Sequence, residues 1–137
     1  MEIKTDLGYV SVESLFVPDT LEEYKVWKKN KINEDYLSTV KSGFQSSTSG
    51  TELIYGYADL DQMKWLKLFT SVNSGIVQYP VPIFTKDNTM VLLDENQIRQ
   101  LLIDINIWEW ENQTRLHQKW SDVDACETIE DTQNINW

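Results

Sequence analysis

Cys126 and His117 are the only cysteine and the only histidine in this 137-residue chain. A thiol and an imidazole are the components of a nucleophile and its base. Such a pair also needs a third group to orient the base and donors to hold an oxyanion. Here the two are separated by an expected helix end, no glycine-rich elbow surrounds Cys126, and its neighbours Asp124 and Glu127 are acids. Nothing in that setting favours a thiolate. An inert, half-buried cysteine is the expectation, and no catalytic residue is assigned.

Carboxylates cluster at Asp59/Asp61, at Asp122/Asp124/Glu127 and at Glu130/Asp131. Acid–base hydrolysis of glycosides, or a hard-metal site, needs carboxylates that converge from different elements. The Asp122-x-Asp124 spacing lacks the glycine and the closing glutamate of a calcium loop. Acids in the first turns of helices explain most of these positions. One cysteine and one histidine cannot make a zinc site alone or an internal disulfide. Glycines stand singly at 8, 43, 50, 56 and 75, so no phosphate-cradling loop is present. No metal or cofactor is expected.

Charge narrows the partners. The chain carries 22 acidic and 12 basic residues, a formal net charge of −10. That opposes electrostatic binding to nucleic acid or to an anionic membrane. The longest apolar runs are far shorter than the ~18–20 residues of a membrane helix, and no signal peptide is visible. Synthesis in a cytoplasm is expected. The excess acid is local: residues 101–137 hold eight acids and two bases, and none of the bases lies beyond Lys119. Four of the six tryptophans share that stretch. Trp108 and Trp110 are two apart, so on a helix they point in different directions. Tryptophan is enriched at protein interfaces. These observations single out Trp110, Trp137, Asp122, Asp124, Glu127, Glu130 and Asp131 as a candidate partner surface.

The elements that must position these residues follow from periodicity and turn signals. Ile3–Thr5 and Tyr9–Val12 flank Asp6-Leu7-Gly8 as a hairpin. A connector around Phe16–Thr20 leads to a helix from Leu21, with Thr20 and Glu23 at capping-box spacing. Asn30 and Asn33 mark a break between two shorter helices, and Gly43 a stop. Gln45–Gly50 reads as a loop and Leu53–Ala58 as a strand. Asp59 and Gln62 open a helix whose apolar face is Leu60, Met63, Leu66 and Phe69, with Lys64 and Lys67 in water. A second hairpin joins residues 76–84 to Met90–Leu93, its first strand an edge because Pro80 and Pro82 cannot donate. Asp94 and Gln97 cap the longest helix, about residues 95–119, with Ile98, Leu101, Leu102, Ile105, Trp108, Asn112, Leu116 and Trp120 on one face. A short helix lies between Thr128 and Ile135. The class is α+β: two antiparallel hairpins and an extra strand packed with three or four helices. Ile98, Leu102, Ile105, Leu116, Met63, Leu66, Ile83 and Leu92 are expected in one core. One domain over residues 1–137 suits the length, with a helix-rich N-terminal subunit over residues 1–42 and a module over residues 43–137.

Gly43-Phe44, a Ser/Thr/Gly loop and the run Ile54-Tyr55-Gly56-Tyr57-Ala58-Asp59-Leu60-Asp61-Gln62 resemble a small phage-protein domain of unknown function associated with tail fibres and tail tips. The hairpin Val81–Leu92, the long helix, and the closing stretch from Leu116 to Trp137 fit the same order over about residues 41–137. The resemblance carries no catalytic residues. It implies a non-enzymatic phage accessory protein, either tail-associated and structural or assisting fibre or tail-tip assembly. Other tail or fibre proteins would be its partners. It would be found in the host cytoplasm during synthesis and on the virion tail. The alternative weighed beside it is an acidic DNA mimic or host-factor inhibitor. That role needs carboxylates spaced like phosphates, about one per 1.7 Å of duplex axis, and here bases interrupt the acids through residues 1–100.

Overall fold

The computed structural model describes the backbone of residues 2–5 and 8–11 and the whole of residues 17–137. Within these the fold is α+β, with helix far exceeding strand. β1 (Glu2–Thr5) and β2 (Gly8–Ser11) pair antiparallel, with Ile3 opposite Val10. The pairing of Thr5 with Gly8 puts Gly8 in the strand rather than in the loop. Asp6, Leu7, Val12 and Phe16, also belonging to the expected hairpin and connector, lie outside the described residues. The remaining elements are α1 (Leu21–Lys41), β3 (Phe44–Ser46), β4 (Leu53–Tyr55), α2 (Asp59–Asn73), β5 (Val81–Phe84), β6 (Met90–Leu93), α3 (Glu95–Ala125) and α4 (Ile129–Gln133).

The chain divides into two compact units, residues 36–115 and residues 1–35 with 116–137. This differs from the division expected near residue 42. The C-terminal segment belongs with the N-terminal helix because side chains tie them together. Lys29 pairs with Asp124 at 2.5 Å, and Lys25 donates to the Asp124 carbonyl at 2.8 Å. Lys28 donates to Asn136 and the Trp120 indole to the Lys29 carbonyl. Tyr24, Ile32, Leu116, Val123 and Thr132 are buried in this unit. Thr128 caps α4: its hydroxyl accepts from the Asp131 N–H at 3.0 Å, and Thr132 donates back to the Thr128 carbonyl.

α1 is one continuous helix through Asn30 and Asn33, not two. Asparagine lowers helix propensity by only a few tenths of a kcal/mol, too little to interrupt a helix with apolar anchors such as Tyr24 and Ile32. Gly43 does end it. Its φ of +102° is left-handed, and a Cβ there would strike the Tyr55 carbonyl oxygen.

That close approach sets up a hairpin absent from the sequence reading. Phe44–Ser46 is β3, and it pairs with β4 in the register Phe44↔Tyr55, Gln45↔Ile54, Ser46↔Leu53. The expected lone strand thus has a partner, and the loop shifts from Gln45–Gly50 to residues 47–52, between Ser46 and Leu53. Two side chains, Ser46 and Thr48, anchor that corner to α3, and Gln100 of α3 steadies the receiving Asp104. The Ser46 hydroxyl donates to Asp104 at 2.5 Å, Thr48 donates to the Gln97 carbonyl at 2.6 Å, and Gln100 donates to the other Asp104 oxygen.

The core of the 36–115 unit is Phe44, Tyr55, Ile83, Leu93, Ile98, Leu101, Leu102 and Ile105. Phe44 and Tyr55 stack at 5.5 Å between ring centroids, and Tyr57, Trp65 and Trp108 close around Phe44. α3 starts as expected: Asp94 and Gln97 exchange reciprocal 2.9 Å bonds between side chain and backbone. It runs on to Ala125, six residues past the expected end. Asn112 faces inward and donates to the Trp108 carbonyl one turn earlier at 2.8 Å.

Four expected core members are not in this core. Leu92 is 56% exposed while Leu93 is fully buried. The register opposes Val81 to Leu93 and Ile83 to Val91, which turns Pro82, Leu92, Phe84 and Met90 to the other face. Met63 and Leu66 are exposed, because α2 turns Trp65, Leu68 and Val72 inward instead. Trp65 decides this: its indole donates to the Gly56 carbonyl at 2.8 Å and its ring meets Phe44 and Tyr55. Leu116 is buried, but in the other unit.

Candidate functional site

The acids singled out in the sequence sit in the 1–35/116–137 unit. Asp122 accepts from Gln118 one turn earlier at 2.9 Å. Asp124 is answered by Lys29 and, through its backbone, by Lys25. Glu127, Glu130 and Asp131 lie toward the surface, and Asp131 gives its backbone N–H to the Thr128 cap. Trp137 is half-buried. Some of the acidic end therefore has its basic partner within the chain, on α1. Lysines interleaved with carboxylates also depart from the uniform negative track of a DNA mimic.

Trp110 belongs to the 36–115 unit. It is 63% exposed, whereas Trp108 packs on Tyr57 at 4.9 Å. With Ile103 and Ile107 it forms an exposed row at i, i+4, i+7 on α3.

A larger apolar surface lies on α2. Leu60 (73%), Met63 (68%), Leu66 (67%) and Phe69 (44%) are all exposed at spacings of three. Beside them a groove of about 680 Å³ runs between α2 and α3, with Met63, Leu66 and Phe69 on one side and Leu102, Ile105, Asn106 and Glu109 on the other. Burial pushes the Glu109 carboxyl above its ordinary 4.5, since removing water disfavours the charged form. α2 is held by its cap. The Asp61 carboxylate accepts the Ala58 N–H at 3.1 Å, and Gln62 donates to the Tyr57 carbonyl. The acid that caps is thus Asp61, not Asp59, because the first helical residue is Asp59 itself. The Leu60/Met63/Leu66/Phe69 row is visible in the sequence, where it reads as a core face. A second row, Trp65/Leu68/Val72, was the signal that the first faces outward.

His117 and Cys126 form no nucleophile–base arrangement. His117 is exposed and its ring meets Trp120 edge-on at 5.3 Å. The Cys126 thiol donates to the Asp122 carbonyl at 3.2 Å. Nine residues of helical rise separate them by roughly 13 Å along the axis. Among the described residues no group of three or more His, Cys, Asp or Glu is placed to hold a metal ion. No helix of the described residues is long and apolar enough to cross a membrane. Compared with protein-family models, with curated proteins and with solved structures, the chain matches none.

Proposed function

We propose that this protein is a non-enzymatic binding component that acts by protein–protein contact. The observation that carries the reading is the outward row Leu60, Met63, Leu66 and Phe69, contiguous with an apolar groove. Scattered exposed apolar residues are ordinary, but a contiguous set on one helix face is a mark of contact with another protein. An amphipathic helix face beside a groove offers side-chain anchors at helical spacing. Trp110, with Ile103 and Ile107, supplies a second aromatic anchor of the kind enriched at interfaces.

The resemblance of residues 41–137 to the tail-fibre-associated phage domain supplies the setting. The protein is then a tail-associated structural or tail-fibre or tail-tip assembly component, and its partners are other tail or fibre proteins. Proteomics of purified virions, with pull-downs of individual tail proteins, tests this. Recovery with particles, or stable capture by one tail component, is expected. Absence from particles together with no binding to any tail component would refute it.

A further inference from the structure

We propose that the cleft between α2 and the β5–β6 hairpin binds a small amphiphilic organic anion, an apolar body bearing a carboxylate. The cleft has a volume of about 660 Å³, within the ~300–1,000 Å³ of small-molecule sites. Its lining includes Trp65, Leu68, Ile83, Ile76 and Phe84. Ile76 and Phe84 are exposed at its margin, so a ligand's apolar body would cover them. Lys64 and Lys67 stand in its wall, one turn apart on α2 and so on neighbouring positions of the helix surface. Neither has an ion-pair or hydrogen-bond partner among the described residues, unlike Lys29 and Lys31, which are paired with acids.

The one carboxylate in the lining, Asp61, is occupied by the Ala58 N–H. The third cation, Lys86, directs its ammonium to the Ser42 carbonyl at 2.7 Å and adds its charge from there. In a chain of net charge −10, two unpaired ammonium groups beside an apolar cleft give anions a local foothold that the rest of the surface denies them. The apolar lining selects against a wholly hydrophilic anion such as free phosphate. β5 does not invite an added strand, because Pro82 lacks the N–H an incoming chain would need. This proposal is separate from the protein-contact reading: Leu60, Met63, Leu66 and Phe69 are not in this lining.

Calorimetric titration with decanoate, below its micellar concentration, tests it on the full chain. One saturable site is expected, and the Trp65 indole N–H resonance should shift on binding. The Lys64→Ala/Lys67→Ala double variant should bind at least tenfold more weakly, as should decyltrimethylammonium to the unaltered chain. Lys41→Ala, a control outside the cleft, should bind as the unaltered chain does. Circular dichroism confirms that each variant is folded. If both replacements misfold the chain, the comparison of decanoate with decyltrimethylammonium still decides. No saturable binding of decanoate, equal binding of the cationic probe, or a folded double variant that binds unchanged would overturn the proposal.

Discussion

Tyr55 carries a hydroxyl into the aromatic cluster, where it is buried without a hydrogen-bond partner among the described residues. Burial pushes the phenol's ionisation upward and outweighs an opposing contribution from the Ser49 hydroxyl, which itself donates to the Thr51 carbonyl at 3.0 Å. A buried, unsatisfied polar group costs about 1–3 kcal/mol. Tyr55→Phe keeps the stacking on Phe44 and removes that cost, so urea unfolding should show a gain of about 1 kcal/mol. A loss of that size would mean that the hydroxyl is satisfied. Glu109 makes a second residue-scale case. Its folded carboxyl titrates above the ordinary 4.5, so the folded chain keeps this proton after the unfolded chain has released it. The stability contributed by this group therefore falls as pH rises from about 4.5 through the folded value. Glu109→Gln lacks that loss. Thermal melts should find it more stable than the unaltered chain at pH 7 and no more stable near pH 4. An equal difference at both pH values would contradict the burial account.

At the scale of elements, α2 presents two apolar rows, and the structure buries only one. Ile105→Asp places a charge in the core and should unfold the 36–115 unit, with loss of most of its helical circular dichroism. Met63→Asp should leave the melting temperature within a few degrees, since surface changes are usually within about ±0.5 kcal/mol. Equal destabilisation by both would show that the Met63 row is a core face after all. The corner at Gly43 is the other element-scale test. Gly43→Ala forces a side chain into a left-handed backbone and onto the Tyr55 carbonyl, at a cost of at least about 1–3 kcal/mol. A smaller loss in urea unfolding would mean that the β3–β4 corner relaxes.

These contrasts also mark what sequence reasoning reached. The Asp94/Gln97 cap, the α3 face through Ile98, Leu102 and Ile105, and the Gly43 stop rest on local geometry, and local geometry is written in spacing. Phe44–Ser46 is too short for periodicity, and it is a strand only because β4 pairs with it. The inward turn of Trp65 in place of Met63 depends on partners from β3 and β4, outside its own helix. Among candidate site residues, the exposure of Trp110 was legible from its two-residue offset from Trp108. The neutralisation of Asp124 by Lys29 was not, because those residues meet only in the folded unit.

For the whole molecule, the acidic, tryptophan-rich C-terminal stretch is divided between two units. Its last residues share a unit with the lysines of α1, while Trp110 lies with the apolar surface of the 36–115 unit. On the proposed reading, the exposed apolar face is the contact surface, and the net charge of −10 keeps a chain that carries it from self-association. The most direct test is the binding of the chain to immobilised phage tails, measured by surface plasmon resonance for the unaltered protein and for Leu66→Asp. The account predicts saturable binding that weakens at least tenfold in Leu66→Asp, with circular dichroism and melting temperature unchanged. Equal binding by the folded variant, or no binding by the unaltered chain, would contradict it.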